Sequence, residues 1–285
     1  MGVHRFLKHL TAVVLASSAL HGPVAMRIAS ADTLDDVLAR GKMVVAIDPT
    51  FAPYEFTDDQ GNITGYDPEV LARVAKAMGV EVEYQKMGFT GIIPGLIAGS
   101  FDFTATALAV TAERAQKVTF TVPVSHAVNA VARRKGDTSV KSAQPEDLAG
   151  LRLGVKATTQ PEQVMLAVSE ELESQGMKPI EFLSIETVEQ QTAALVNKRV
   201  DFVVDDIAVL GAVVRKRPEA NLEIIGEIGP VTYIAWGARK DDTRLAKALS
   251  EQIIELQQNG ELATLQKKYF GVSFDLPVEN FIPAE

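Results

Sequence analysis

Apolar runs of strand length alternate with segments of helical periodicity from residue 42 to the end of the chain. The run "KMVVAI" predicts a buried strand, whereas "YDPEVLARVAKAMG" repeats apolar residues at helical spacing and predicts a helix. Further predicted strands are "VEVEY", "FDFTA", "LRLGV", "PIEFL" and "VDFVV". Further predicted helices are "TGIIPGLIAG", Pro161 to about Ser174, "TVEQQTAALVNK", "IAVLGAVVRKR", "DTRLAKALSEQIIELQQNG" and "ELATLQKKYFG". This alternation is typical of an α/β fold.

The ends of these helices carry capping signals. Asp67 is predicted to cap the first long helix and Gly79 to stop it. Thr90 is predicted to cap the next helix, and Thr187 followed by Gln190 has the pattern of a capping box. The apolar positions expected to face inward from the helix after Thr90 are Ile92, Ile93, Leu96 and Ile97.

Two turn-rich stretches interrupt the pattern and predict a division into two lobes. The first is "TVPVSHAVNAVARRKGD" and the second is "GEIGPVTYIAW", in which glycine and proline break the periodicity. Two crossings give a discontinuous first lobe, residues 32–124 plus 232–285, and a continuous second lobe, residues 125–231. A ligand site is then expected between the lobes, at loops beyond the strand ends.

Residues 1–31 have the order of a secretory signal peptide. Arg5 and Lys8 precede an apolar run, Leu10 to Leu20, and Ala29 and Ala31 form an A-x-A pattern that predicts cleavage after Ala31. Eleven apolar residues are too few for a membrane anchor, which needs about 20. The chain has no cysteine, which excludes disulfides and a lipid-modified N-terminal cysteine. We expect an exported, periplasmic protein.

Charge and histidine content narrow the classes of function. Cleavage removes three of 28 basic residues and none of 37 acidic residues, which leaves a net charge of 25 − 37 = −12. Such a surface repels nucleic acid, because phosphate binding needs clustered Lys and Arg. His126 is the only histidine after residue 31. This excludes a histidine-based zinc site and leaves one imidazole for a serine triad, so we expect neither a metal nor a cofactor.

Six segments together resemble the extracytoplasmic solute-binding proteins of ABC importers for polar amino acids, family 3. In chain order these segments are "MVVAIDPTFAPYEFTDDQGNITGYDPEVLARVAKAMGV", "GFTGIIPGLIAGSFDF", "VTAERAQKVTFTVPV", "LRLGVKATTQ", "VDFVVDD" and "LQQNGELATLQKKYFG". The resemblance implies a type II periplasmic-binding-protein fold, in which each lobe is a mixed sheet flanked by helices and a two-segment hinge joins them. It also implies a monomeric, non-catalytic protein that binds a polar amino acid and delivers it to a membrane permease.

The resemblance assigns the two charged ends of such a ligand. Arg114 occupies the arginine position of the family's T-x-x-R segment, which starts here at Thr111 and binds the α-carboxylate. Guanidinium offers two parallel donors to a carboxylate, a geometry that lysine does not supply. Asp206 matches the acid that binds the α-amino group, and a helix N-cap is its alternative role. Asp205 is interpreted as structural.

The remaining expected site residues surround the side-chain end. Phe51 and Phe89 match aromatic pocket walls, and Asp48 follows the first strand, where an acid favours a cationic or amide side chain. Core packing for the aromatics and a loop cap for Asp48 are the alternatives. The resemblance further implies that Ala107, Ala109 and the turn residues Lys156, Thr158 and Thr159 line the pocket. A solvated rim position is the alternative for Lys156.

Two departures from the family pattern leave the specificity open. Ala109 stands where the family often has Ser or Thr, and "FTVPV" replaces the usual "F-S-D-P-Y". The sequence therefore favours a basic or amide amino acid but also allows a carboxylated solute such as an opine or ectoine. The alternative is an enzyme on the same fold, similar to cyclohexadienyl or arogenate dehydratases, which needs a general acid in the cleft. A third class, the sensor part of a receptor, needs further domains.

Overall fold

The computed structural model describes residues 33–284, so the predicted signal peptide lies outside the described residues. In this range the strands are β1 Lys42–Ile47, β2 Thr50–Phe51, β3 Glu55–Thr57, β4 Ile63–Thr64, β5 Glu81–Lys86, β6 Phe103–Ala109, β7 Val118–Phe120, β8 Ser125–Ala127, β9 Asn129–Arg134, β10 Arg152–Lys156, β11 Glu181–Ile185, β12 Phe202–Asp206, β13 Leu222–Glu227 and β14 Thr232–Arg239. The helices are α1 Thr33–Arg40, α2 Tyr66–Met78, α3 Ile92–Ile97, α4 Ala112–Lys117, α5 Pro145–Leu148, α6 Gln160–Ser174, α7 Val188–Val196, α8 Ile207–Lys216, α9 Thr243–Gln258 and α10 Glu261–Phe270.

Two mixed sheets carry the fold, and we call each sheet with its helices a lobe. The first sheet has the order β5-β1-β6-β14-β7, with β8 also paired to β14. Its β1 is parallel to β5 and β6, while β14 runs antiparallel to β6. The second sheet has the order β11-β10-β12-β9-β13, with β10 parallel to β11 and β12 and with β9 antiparallel to β12. The two-lobed α/β class is therefore confirmed.

Each lobe has its own apolar core. The largest buried side chain of the first lobe is Trp236, which packs 6.1 Å from Phe103 between their ring centroids. The second lobe buries Phe202, Leu153 and Met165 between its sheet and helices. A smaller sheet, β2-β3-β4, lies between β1 and α2 in the chain and shapes the edge of the first lobe.

The chain crosses from one sheet to the other twice. The first crossing lies between β8 and β9, and the second lies between β13 and β14. The predicted lobe limits, residues 32–124 plus 232–285 and residues 125–231, stay a prediction, and β8 itself pairs within the first sheet. No helix among residues 33–284 combines the length and the apolar character that a bilayer crossing requires.

Helix ends follow the sequence signals in part. Gly79 ends α2 in the left-handed conformation, and Thr187 accepts a hydrogen bond from the backbone N–H of Gln190, as predicted. The N-cap of α2 is Gly65, so the prediction for Asp67 is wrong: its buried carboxylate accepts a 2.7 Å bond from the indole N–H of Trp236 instead.

The segment after Thr90 also differs from its prediction. A 3₁₀ turn, Phe89–Gly91, precedes α3, and the residue that caps α3 is Gly91 rather than Thr90. Ile92 and Leu96 are buried as expected, but Ile97 is 58% exposed. The helix spans six residues, less than two turns, so its apolar face is too short to bury all four predicted positions.

Candidate functional site

The site is a cleft at the carboxyl ends of parallel strands from both sheets. β1 and β6 end there in the first lobe, and β10 and β12 end there in the second. The cleft holds about 530 Å³ of space between protein atoms, part of which is open to solvent. Nine predicted residues line this cleft: Asp48, Phe51, Phe89, Ala107, Ala109, Arg114, Lys156, Thr159 and Asp206. Thr158 does not line it.

Arg114 is buried at one end of the cleft. Thr111 caps α4 by accepting a 3.2 Å bond from the backbone N–H of Arg114. The guanidinium donates from Nη1 to the Ala109 carbonyl at 2.9 Å and from Nη2 to the Thr158 carbonyl of the other lobe at 2.8 Å. Burial lowers the pKa of Arg114 to about 10, so the group stays charged at neutral pH.

No carboxylate of the described residues forms an ion pair with this guanidinium. Within residues 33–284 Arg114 makes no ion pair, although its side chain is almost completely buried. A buried cation bonded only to neutral carbonyls is costly unless an anion joins it. The arrangement around Arg114 therefore suits an anionic group.

The N-terminus of α6 adds positive potential to the same cleft. Thr159 caps this fifteen-residue helix by accepting a bond from the backbone N–H of Glu162, and its hydroxyl donates to the Lys156 carbonyl at 2.6 Å. Thr159, Gln160 and the following proline line the cleft. Because the first N–H groups of a helix carry a partial positive charge, this end favours a carboxylate.

Asp206 lies at the end of β12 and caps α8. Its Oδ1 accepts bonds from the backbone N–H groups of Ala208 at 2.7 Å and Val209 at 3.4 Å, and its Oδ2 accepts one from Val128 at 3.1 Å. Burial raises the pKa of Asp206 to about 7, and the N–H donors act against that rise. The structure thus gives Asp206 the capping role that the sequence kept as its alternative, at a position that also lines the cleft.

Asp205 is a second buried acid beside it. Its Oδ1 accepts a 2.8 Å bond from the backbone N–H of Asp206, which is the structural role expected from the sequence. Its Oδ2 is buried and has no hydrogen-bond partner among residues 33–284. Burial raises the pKa of Asp205 to about 6, while the charge of Lys156 acts in the opposite direction. Asp205 also lines the cleft, which the sequence analysis missed.

An ion pair between Lys156 of the second lobe and Asp48 of the first joins the lobes within the cleft. Lys156 Nζ lies 3.3 Å from Asp48 Oδ2, and both side chains are 4% exposed. The same ammonium lies 4.7 Å from the ring centre of Phe51 and 5.6 Å from that of Phe89. A solvated rim position for Lys156 is therefore wrong. The ammonium of Lys156 lies beside Asp48 and the two aromatic rings, where the sequence analysis expected a cationic side chain of the ligand.

A buried acid pair lies under the cleft. Glu55 Oε1 accepts bonds from the Thr106 hydroxyl and from the backbone N–H of Ala107, the latter at 3.1 Å. Asp67 lies close enough that its charge acts on the Glu55 carboxyl. Burial raises the pKa of Glu55 well above its ordinary value, and it raises that of Asp67 to about 6. Two adjacent carboxyls in an apolar setting hold a proton between them, so this pair adds less negative charge than two carboxylates.

The family model for bacterial extracellular solute-binding proteins, family 3, matches residues 43–272. The chain belongs to this family. The L-cystine-binding protein TcyJ of Escherichia coli is 26% identical over 90% of this chain and 93% of its own length. An ancestral arginine-binding protein, solved with arginine and with glutamine, is 31% identical with a TM-score of 0.74, over 81% of this chain and 99% of its own.

A third relative bears on the enzymatic alternative. The ancestral amino acid-binding protein AncCDT-1, a precursor of cyclohexadienyl dehydratase, has a TM-score of 0.74 and 25% identity, over 84% of this chain and 99% of its own. The family is one of solute-binding proteins and the named relatives are amino-acid-binding proteins, so this family 3 protein is a solute-binding protein and not an enzyme. The family is extracytoplasmic, in agreement with the expected export.

Sequence reasoning missed several cleft residues of this family 3 protein. They include Tyr54, Glu55, Asn129 and Asp205. Tyr54 stacks on Phe51 at 5.5 Å, and Asn129 donates a 2.8 Å bond to the amide oxygen of Gln160.

His126 packs against an aromatic ring and is not among the residues that line the cleft. The ring of His126 packs 4.1 Å from that of Phe274, and burial lowers its pKa. Within residues 33–284 no three His, Cys, Asp or Glu side chains converge as metal ligands. The chemistry of the cleft is therefore that of complementary charge and hydrogen bonding.

Proposed function

We propose that this protein is the periplasmic substrate-binding component of an ABC importer, which binds a polar α-amino acid between its lobes and delivers it to a membrane permease. The observation that carries the proposal is the buried charge of Arg114, which has no carboxylate partner among residues 33–284, in the same cleft as Asp206. The arginine, cystine and other amino-acid binders among its relatives support the class of ligand. Export with loss of residues 1–31, a monomeric state and the absence of nucleic-acid binding stay predictions.

The ligand's α-carboxylate binds Arg114. The guanidinium now donates to the Thr158 carbonyl across the cleft, and a carboxylate is a stronger acceptor for the same donor. The helix end at Thr159 contributes further positive potential. The ligand's α-ammonium binds Asp206, whose oxygens already accept backbone bonds that hold the carboxylate in place.

The ligand's side chain reaches Asp48 and Lys156. Because these two charges neutralise each other, the best partner is a neutral group that both accepts and donates hydrogen bonds. An amide does both: its oxygen accepts from Lys156 and its NH₂ group donates to Asp48. A basic side chain must instead displace Lys156 from Asp48 and from the ring of Phe51. We therefore propose an amide amino acid before a basic one.

Thermal unfolding and calorimetry with defined probes test this proposal. The probes are the twenty L-amino acids, an opine and ectoine. A probe present at 100 times its Kd should add about 2.7 kcal/mol to the free energy of unfolding. We expect the largest effect from L-glutamine or L-asparagine, a smaller one from L-arginine, and none from ectoine.

Matched variants locate the effect. Arg114→Gln should abolish stabilisation by every amino acid, whereas Arg73→Gln, at an exposed arginine of α2, should leave it unchanged. Stabilisation of the Arg114→Gln variant equal to that of the unmodified protein would refute the carboxylate role. Stabilisation by L-lysine and L-arginine alone would refute the amide preference while leaving the amino-acid function intact.

A further inference from the structure

The cleft holds one carboxylate oxygen that the fold does not use. Asp205 is 3% exposed, and its Oδ1 completes the backbone by accepting from Asp206 N–H. Its buried Oδ2 has no partner in the described part of the chain, and Asp205 is one of the residues that line the same cleft as Asp206. A buried carboxylate oxygen without a donor is costly.

The nearest cation does not satisfy this oxygen. Lys156 ends β10, and Asp205 lies on the neighbouring parallel strand β12, so the two side chains emerge beside each other. The ammonium of Lys156 is committed elsewhere, at 3.3 Å from Asp48 and over the ring of Phe51. It acts on Asp205 through its charge alone.

The fold uses only one of the two carboxylate oxygens of Asp205. An asparagine would keep an oxygen for the N–H of Asp206 and would remove the buried charge. The second oxygen and the negative charge of Asp205 are therefore available for a group that enters the cleft.

We propose that Asp205 is a second carboxylate for the ligand's α-ammonium group, beside Asp206. This inference rests on the proposed function, because it needs an α-amino acid in the cleft. An ammonium carries three N–H donors. Both oxygens of Asp206 already accept backbone bonds, whereas Oδ2 of Asp205 accepts none.

Asp205 thereby acts on specificity rather than only on affinity. A carboxylated solute without an α-ammonium leaves both acids without their cation. Sites built to hydrogen-bond a polar group reject analogues that lack it much more strongly than apolar pockets reject a size change. Asp205 should thus separate α-amino acids from their deaminated counterparts.

A comparison of paired probes tests this role. Calorimetry would measure L-glutamine against 4-carbamoylbutyrate, its deaminated analogue, and L-arginine against 5-guanidinopentanoate. The unmodified protein should prefer the amino form strongly. In Asp205→Asn this preference should shrink at least about tenfold, as expected for the loss of a hydrogen bond between charged groups. In Asp35→Asn, at an exposed acid of α1 that does not line the cleft, the preference should be unchanged.

Thermal unfolding without added probe separates binding from structure. Asp205→Asn should unfold at the same temperature as the unmodified protein or higher, because it removes an unpaired buried charge and keeps the backbone bond. A lower unfolding temperature with an unchanged amino preference would overturn the inference and make Asp205 structural. If Asp206→Asn abolishes the amino preference while Asp205→Asn leaves it unchanged, the inference fails and the proposed function stands. If no amino acid binds the unmodified protein, the proposed function itself fails.

Discussion

The lysine that joins the lobes gives the sharpest test of the site. Lys156→Met keeps the length of the side chain and removes the charge that pairs with Asp48. At the observed 3.3 Å the attraction is about 5 kcal/mol with an effective dielectric constant of about 20. The desolvation of both charges offsets much of this, so the intact pair contributes little net stability.

Removing Lys156 alone changes the free energy by more than the small net contribution of the intact pair. It leaves Asp48 buried and unpaired, which costs about 3–5 kcal/mol in a site that cannot relax. This site relaxes by separating the lobes, which returns Asp48 to water. We therefore expect Lys156→Met to open the cleft rather than unfold the lobes. Since about 1.4 kcal/mol is a tenfold change, the ratio of closed to open protein should fall at least about 100-fold.

Small-angle scattering and spin-label distances between the lobes would measure this opening without added amino acid. The variant should show a longer inter-lobe distance and an unfolding temperature within a few degrees of the unmodified protein. The double variant Asp48→Asn with Lys156→Met removes both charges of the pair, so neither is left unpaired, and it should recover most of the closed population. An unchanged distance together with a large drop in unfolding temperature would refute the reasoning, because the cost would then fall on the fold.

Three further predictions concern pH, the aromatic wall and the backbone. Burial raises the pKa of Asp206 to about 7, so the folded protein binds a proton at this carboxylate more tightly than the unfolded chain does. The protonated Asp206 therefore contributes to the free energy of unfolding below about pH 4, and this contribution is lost as the pH rises to 7. Thermal unfolding from pH 4 to 8 without added amino acid should show this loss in the unmodified protein and a smaller one in Asp206→Asn. Phe51→Leu removes the ring 4.7 Å from the Lys156 ammonium and should lengthen the inter-lobe distance, at a cost of about 0.5–2 kcal/mol; an unchanged distance would contradict it. Gly65→Ala places a Cβ 2.3 Å from the Tyr54 carbonyl at φ 128°, so urea unfolding should show a loss of at least about 1–3 kcal/mol, and a neutral result would contradict the close approach.

Local patterns predicted the elements well because they depend on neighbours in the chain. The strand Lys42–Ile47 has its predicted limits, and Thr187 and Gly79 end their helices as expected. Where the sequence erred, a distant partner decided. The local pattern predicted Asp67 as a helix cap, but its carboxylate instead accepts a hydrogen bond from the indole N–H of Trp236, 169 residues away in the chain.

The candidate site was predictable in its members but not in its pairings. Asp48, Lys156, Arg114 and Asp206 were named from the sequence, and all four line the cleft. The pairing of Asp48 with Lys156 joins residues 108 positions apart, and it removed the free acid on which a preference for basic ligands depended. No periodicity or spacing encodes such a contact. The structural role expected of Asp205 agrees with the bond from the N–H of Asp206 to its Oδ1, but nothing in the sequence indicated that Oδ2 has no partner among residues 33–284.

The contacts across the cleft also govern how fast the protein can work. Asp48 with Lys156, and Arg114 with the Thr158 carbonyl, hold the lobes together through the protein's own groups. If an amino acid binds at Asp206 as proposed, we expect it to enter only after these contacts separate. At high concentration the observed association rate should therefore stop rising and level off at the rate of opening. Separation of Lys156 from Asp48 would then limit how often the protein without ligand opens and can bind an amino acid.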